Sequence, residues 1–241
     1  MQKKERFERA TRRSLASWPA RSAPPSGALA TLCPTMELLL PLILMAFGAY
    51  WLKSRDERAR RALLGQHLSP YQIEKLMETL TEGYLRALGE NDPQRRAQVW
   101  NLLTTSEDKL CNQFNRFAIG FAGVDAHQTR VSTLPVALPY ADKLFPAATF
   151  DIRQVFAIHA QGITQAAQNS QNRSPRDKAY TLSAELFLMQ HTCHWFCKSR
   201  MVASARLQVR HKTAYAQVLT AVAPETRRAY AAAVGIIQTV P

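Results

Sequence analysis

The sequence predicts an all-α protein with a single N-terminal transmembrane helix and a cytoplasmic bundle of about five helices with one long proline-containing loop. Three observations lead to this prediction. An uncharged apolar run, Leu38–Leu52, precedes a cluster of basic residues. Helix start signals recur along the rest of the chain, followed by apolar residues at helical spacing. The glycines form no nucleotide-binding motif that would indicate an α/β fold.

Composition points to an anionic partner. The 241 residues include 31 Lys and Arg against 18 Asp and Glu, which gives a net charge of +13. Such a balance predicts attraction to nucleic acid or to the anionic face of a membrane. The four cysteines are too sparse for a disulfide framework, so we expect free thiols in a reducing compartment.

Residues 1–35 are rich in Arg, Ser, Ala and Pro and show no sustained apolar period. Such a composition cannot bury enough surface to offset the entropy lost on ordering, so we expect a disordered basic tail. An alternative is that the natural start is Met36 and the tail is not translated. Removing its seven basic and two acidic residues lowers the net charge from +13 to +8.

Residues 36–52 are predicted to form the transmembrane anchor, and residues 53–68 a basic juxtamembrane helix. The uncharged run is short for a span, which takes about 20 apolar residues. The positive-inside rule places the longer C-terminal part in the cytoplasm, as in a single-pass protein of the bacterial inner membrane. The predicted membrane-interface residues are Tyr50, Trp51, Lys53, Arg55, Arg58, Arg60 and Arg61.

Two alternatives compete with the anchor. A cleaved signal peptide would need a small-residue cleavage site, and the stretch FGAYWLKSRDE offers no good one. A buried core helix is the other alternative, because an apolar run of this length occurs in such helices.

The remaining residues, 69–241, are predicted to form the helical domain. Helix start signals occur at Ser69–Pro70, Asp92–Pro93, Ser174–Pro175 and Pro224. The first three are a Ser or Asp followed by Pro, and the last is a Pro followed by an acid. Another helix is expected from Asp151, and the longest from Pro175 past Tyr215. Between Gly123 and Phe150, Pro135 and Pro139 argue against a central strand, and we expect a long loop that packs across the bundle. A functional or mobile loop is the alternative, because loops of this length are unusual in compact domains.

The densest motif is MQHTCHWFCKSR, residues 189–200. On a helical wheel, Cys193 and Cys197 join an ordinary core stripe, in which cysteine behaves as a small hydrophobe. His191 and His194 lie on a different side. The helix is apolar or aromatic nearly all round, which predicts a central position in the domain.

Metal binding is the first alternative function. His191 and His194 are close enough on a helix to share one ion, Cys197 lies one step further round, and His159 could approach from a facing helix. Zinc needs three or four such ligands, and haem one axial histidine. The favoured interpretation is nevertheless a buried helix with no cofactor.

Downstream lies a basic run without acids, expected to contact anionic lipid headgroups: Lys198, Arg200, Arg206, Arg210 and Lys212. Binding of nucleic acid is a second alternative, less favoured because no compact helix-turn-helix unit is evident. The G-x-S-x-G and H-E-x-x-H motifs are absent from the sequence. We therefore expect a membrane-anchored interaction or scaffold protein, with an unknown protein partner, rather than an enzyme.

Overall fold

The structure is a computed structural model that describes residues 33–135 and 140–235, and it is mostly helical, as predicted. The helices are α1 Cys33–Leu68, α2 Ile73–Gly89, α3 Pro93–Ala122, α4 Ala141–Leu144, α5 Ile152–Gln168, α6 Pro175–Cys197, α7 Arg200–His211, α8 Tyr215–Ala221 and α9 Pro224–Val234. Two short strands, β1 Arg130–Ser132 and β2 Thr149–Asp151, pair antiparallel, and a 3-10 turn, Pro146–Ala148, precedes β2.

The chain divides into two compact units, Met1–Ala49 and Tyr50–Pro241, and helix α1 contributes residues to both. Most of the predicted tail, residues 1–32, lies outside the described residues. The last three residues of that predicted tail already belong to α1.

No helix in the described part of the chain is long and apolar enough to cross a membrane. The predicted transmembrane helix over residues 36–52 is therefore not supported. The physical reason is length: the uncharged run is fifteen residues, about 22 Å of helix at 1.5 Å per residue. The hydrocarbon core of a bilayer is about 30 Å thick.

Most predicted helix starts are confirmed. The side chains of Asp92, Asp151 and Ser174 accept hydrogen bonds from the backbone N–H groups of the first turns of α3, α5 and α6. Each side chain satisfies a donor that the helix itself leaves unpaired. Helix α9 begins at Pro224, also as predicted.

The start at Ser69 is wrong. Its hydroxyl donates to the Gln66 carbonyl at the end of α1. Helix α2 begins four residues later, at Ile73. The N–H of its N-cap residue, Gln72, donates to Gln113 Oε1 on α3 at 2.7 Å. A side chain from another helix thus takes the place of a local cap.

The long helix expected from Pro175 past Tyr215 is three helices, α6, α7 and α8. The backbone leaves the helical conformation at Lys198 (φ −142°, ψ −89°), and the Ser199 hydroxyl accepts from the Val202 N–H to start α7. Lys212 adopts a left-handed conformation (φ 53°) that ends α7. These breaks let α7 and α8 fold back against α6.

The predicted loop contains the two-stranded ribbon, in which Val131 lies opposite Phe150. Trp195 of α6 fixes this ribbon: its indole N–H donates to the Ser132 carbonyl at 2.9 Å, and its ring meets Phe150 edge-on. Residues 136–139, part of the segment expected to pack across the bundle, lie outside the described residues.

Helix α6 occupies the centre, as its all-round apolar character predicts. It packs against α2, α5, α7 and α8. Its buried residues cover all but one side of the helix: Ala179, Thr181, Leu182, Ala184, Glu185, Leu186, Leu188, Met189, His191, Thr192, Trp195 and Phe196. Phenylalanines of α3 and α5 form an edge-to-face cluster that reaches α6 through Phe121 and Phe196.

A buried polar triad joins three helices. Glu107 of α3 accepts a hydrogen bond from the Tyr84 hydroxyl of α2 at 2.6 Å and pairs with the Lys178 ammonium of α6. Glu107 is only 2% exposed. A carboxylate placed there depends on both partners, because an unpaired buried charge is strongly destabilising.

Replacing Lys178 with Met should therefore lower the free energy of unfolding by about 3 kcal/mol, since Glu107 loses its counter-charge. Urea denaturation at pH 7 measures this loss. The control is Lys109→Met, which removes an exposed lysine from α3. Equal stabilities of the two variants would show that the triad does not hold α6 in place.

Gly162 of α5 permits a close approach to α6 and α9. A Cβ at this position would lie 2.4 Å from Thr226 Oγ1 and 2.7 Å from Glu185 Oε2. We expect Gly162→Ala to destabilise the protein by about 1–3 kcal/mol through overpacking.

The matched control is Gly120→Ala in α3, where an added Cβ meets no atom within 4 Å. There the substitution should stabilise the helix by about 0.5–1 kcal/mol, because alanine is the better helix former. Thermal unfolding of both variants checks the opposite signs, and shifts of the same sign would contradict the packing argument.

Candidate functional site

His159 and His191, two of the four candidate metal ligands, are buried, and each ring contacts a hydroxyl group. His159 Nε2 lies 2.9 Å from Thr192 Oγ1, and His191 Nε2 lies 3.1 Å from Ser204 Oγ. Because the Thr192 hydroxyl donates to the Leu188 carbonyl, His159 Nε2 carries the proton. Burial lowers the pKa of both imidazoles to about 3, so both are neutral at pH 7.

Ser204 and His191 have the spacing of a nucleophile and a base. However, His191 Nδ1 has no hydrogen-bond partner in the described chain, whereas a catalytic base is normally oriented through that atom. A pKa near 3 also makes His191 a weak general base at pH 7. The pair is therefore a packing contact between α6 and α7.

His194 and Cys197 face other groups. The Arg206 guanidinium donates a hydrogen bond to His194 Nδ1 at 3.0 Å, because a guanidinium has no acceptor. Burial raises the pKa of the Cys197 thiol, although the charges of Arg61, Arg206 and Arg60 oppose this rise. The thiol stays protonated, whereas zinc binds the thiolate.

Among the described residues, no three side chains of His, Cys, Asp or Glu are grouped so that they could hold a metal ion. His159, His191, His194 and Cys197 thus do not form one ligand set. Helical geometry separates them, because His191 turns toward Ser204 while His194 turns toward Arg206. The zinc and haem alternative therefore rests on the sequence pattern alone.

Glu185 is a wholly buried acid on α6, beside Gly162 and the start of α9. Its Oε1 accepts a hydrogen bond from the Ala223 N–H at 3.0 Å. Burial raises the pKa of this carboxyl to about 7, more than hydrogen bonds from Ala223 and Thr226 lower it. Glu185 links α6 to α9, and its carboxyl keeps its proton to a higher pH than an exposed glutamate does.

The predicted interface arginines of α1 fall into two groups, and Lys53 is half-buried. Arg60 is half-buried: it pairs with Asp56 at 2.9 Å, donates to the Arg130 carbonyl, and lies over the Phe196 ring. By contrast, the predicted interface arginines that are exposed have no carboxylate partner among the described residues; they are Arg55, Arg58 and Arg61.

The basic run after α6 divides in the same way. Lys198 is half-buried and pairs with Glu57 of α1 at 3.7 Å, and Arg200 lies over the Trp195 ring. Three members are exposed: Arg206, Arg210, which pairs with Glu74 at 3.4 Å, and Lys212. Asp56 and Glu57 of α1 therefore pair with the half-buried cations Arg60 and Lys198, and the exposed arginines of α1 have no carboxylate partner among the described residues.

Tertiary packing joins the two basic stretches. Arg61 of α1 lines the same groove as His194 and Cys197 of α6, and Arg206 of α7 bonds His194 Nδ1 at 3.0 Å. The exposed, carboxylate-free arginines of α1 and α7, namely Arg55, Arg58, Arg61 and Arg206, are called the basic surface below. The sequence places these two groups about 150 residues apart, so their joining is a product of the fold.

The segment ahead of the basic surface is apolar and exposed. Ten of its residues, from Leu39 to Leu52, are large hydrophobics whose exposed fractions lie between 37% and 69%. They are Leu39, Leu40, Leu42, Ile43, Leu44, Met45, Phe47, Tyr50, Trp51 and Leu52. A contiguous patch of exposed apolar side chains is typical of a surface that contacts another protein or a membrane.

No protein-family model, curated protein or solved structure matches this chain. Inference about its function therefore rests on the residues themselves.

Sequence reasoning missed two features of the site. The inward pairing of Asp56 and Glu57 was hidden, because their partners include Lys198, which is distant in sequence. The burial of Glu185 was also missed. Its position among Leu182, Leu186 and Met189 on the wheel was the available signal, since an acid inside a core stripe must be enclosed with them.

The raised pKa of Glu185 predicts a specific pH dependence. From about 4.5 to 7 the folded state keeps a proton that the unfolded state has lost, so stability falls as pH rises through this window. Glu185→Gln removes this loss of stability, because glutamine does not ionise. We expect the variant to gain on the order of 3 kcal/mol relative to the wild type between pH 4.5 and 7.

Urea denaturation of both proteins at several pH values measures this difference. His159 and His191 destabilise both proteins equally as pH falls below 6.5, because their pKa is lowered on folding. The difference between the two curves therefore isolates Glu185. Parallel curves would mean that Glu185 ionises normally in the folded protein.

Proposed function

We propose that this protein is a membrane-associated helical scaffold, in which the apolar segment Leu39–Leu52 enters the bilayer and the basic surface lies on anionic headgroups. The supporting observation is the order of these features on one helix: exposed hydrophobics first, then arginines that have no carboxylate partner among the described residues. Tyr50 and Trp51, between the two, are residue types that favour the membrane interface.

The charge pattern supports an anionic surface as the partner. Each Lys or Arg near an anionic leaflet contributes about 1 kcal/mol of attraction. Buried or paired cations contribute less, so Arg60 and Lys198, counted as surface contacts from sequence alone, have mainly a structural role. The exposed arginines that remain supply the electrostatic part of binding.

The location follows as part of the same proposal. Anionic lipids give the cytoplasmic leaflet a negative surface potential, so we place the helical domain at the cytoplasmic face of a bacterial inner membrane. Scaffolding is favoured over catalysis because the Ser204–His191 contact lacks an orienting group among the described residues and a base of suitable pKa.

Reversing three charges tests the electrostatic part of the proposal. The full chain should float with vesicles containing phosphatidylglycerol. Arg55→Glu/Arg58→Glu/Arg61→Glu should lower the partition coefficient by at least about 100-fold, since three attractions of about 1 kcal/mol are lost and repulsions replace them. Flotation across a salt series measures the effect, which should shrink as salt screens the charges.

The matched control is Arg95→Glu/Arg96→Glu/Arg116→Glu, which reverses three exposed arginines of α3. It has the same net charge as the first variant, so only the position of the charges differs. Equal partition coefficients for the two variants would show that net charge, not the basic surface, governs binding. Failure of the wild-type protein to float would overturn the membrane proposal.

Leu44→Asp/Phe47→Asp tests the apolar part. The variant should lose binding to neutral phosphatidylcholine vesicles but keep salt-sensitive binding to anionic ones, because the basic surface is intact. Unchanged binding to neutral vesicles would mean that Leu39–Leu52 does not enter the bilayer.

A further inference from the structure

The central helix α6 is uncovered along one line. Arg176, Tyr180, Ser183 and Phe187 follow one another at spacings of three or four residues and line one wall of a groove. The first and last of these positions are eleven residues apart, which is about 16 Å or three helical turns. The groove is therefore long enough to lie along several turns of another helix.

The opposite wall belongs to α2, where Thr81, Leu85 and Leu88 also follow a helical spacing. The groove has a volume of about 570 Å³. Small residues are among those that line it, including Ala179 and Ala184 of α6 and Ala221 of α8. A groove between helices that is lined by apolar and small side chains is of the kind that receives an amphipathic helix.

Large apolar side chains at the groove are exposed to solvent. Leu85 is 74% exposed, Tyr180 70% and Leu88 48%. Single exposed hydrophobics are ordinary on a protein surface, but these three line the same groove. Tyrosine and arginine are also the residue types that most often anchor a protein interface.

The charges at the groove favour an acidic occupant. Arg176 has no carboxylate partner in the described chain, and Arg210 has only an exposed contact with Glu74 at 3.4 Å. Such an exposed pair contributes little and is easily exchanged. Glu82 is the single acid among the lining residues. His211 adds no charge, because burial lowers its pKa and its ring stacks on Phe187.

We propose that the groove between α2 and α6 binds an acidic amphipathic helix of a partner protein. The apolar face of that helix would lie on Leu85, Leu88 and Tyr180, and its carboxylates would meet Arg176 and Arg210. This inference rests on the proposed scaffold function and names the class of protein that the scaffold binds. Its residues are distinct from those of the basic surface, so groove binding and membrane binding can be tested separately.

Photo-crosslinking of the full chain, in cells of the organism that encodes it, tests the proposal. Tyr180 is replaced by the photoreactive residue p-benzoyl-L-phenylalanine, and the crosslinked peptide is identified by mass spectrometry. The expected adduct is one segment of another protein, with apolar residues at helical spacing and an excess of acids. Arg176→Glu/Arg210→Glu should lower its yield by about tenfold, since both attractions become repulsions.

The position control places the same photoreactive residue at Ile119, which is 75% exposed on α3 and lies outside the groove. Arg176→Gln/Arg210→Gln controls for misfolding and should give an intermediate yield. Changing the acids of the crosslinked segment to lysine should restore the yield in the Arg176→Glu/Arg210→Glu background.

Several results would overturn the proposal: no adduct beyond that at Ile119, an adduct with lipid or with a second copy of this chain, a partner segment without an acidic excess, or a yield unaffected by charge reversal. The groove variants should float with anionic vesicles as the wild type does. A failed crosslink with normal flotation therefore rejects the groove alone.

Discussion

The enclosure of α6 is the constraint on which the rest of the structure depends. A helix that is apolar on nearly every side cannot rest on the surface of a bundle, because water would remain in contact with one of its faces. Helices α2, α5, α7 and α8 therefore pack round it, and the ribbon is fixed to it through Trp195. The break at Lys198 has the same effect, because it allows α7 to cover the side of α6 that carries His191.

Enclosing this helix also encloses polar residues of α6 and of neighbouring helices, and each of them is accommodated in a different way. Glu107 keeps its charge within reach of Lys178 and Tyr84. His159 and His191 remain neutral against hydroxyl groups, and Glu185 holds a proton at a pH where exposed acids have lost theirs. The histidines that resemble a ligand cluster in the sequence therefore contact different groups in the fold.

The distribution of charge follows from the same packing. Folding places Lys198 and Arg60 against acids and aromatic rings, so these cations stabilise the domain from within. The arginines of the basic surface lack carboxylate partners in the described chain and are free to act on an anionic surface. The same division leaves Arg176 at the rim of the groove, where α6 has its least covered face.

The sequence by itself determined the helical class, most helix starts and the central place of α6, because caps, prolines and apolar periods act over a few residues. It did not determine where α6 ends, because no glycine or proline marks the break at Lys198. It also did not show that Gln113 of α3 replaces a local cap for α2. It also could not show that His191 and His194 face different helices. Only the tertiary structure decided which cations are neutralised, because an ion pair such as Lys198–Glu57 depends on contacts between residues distant in sequence.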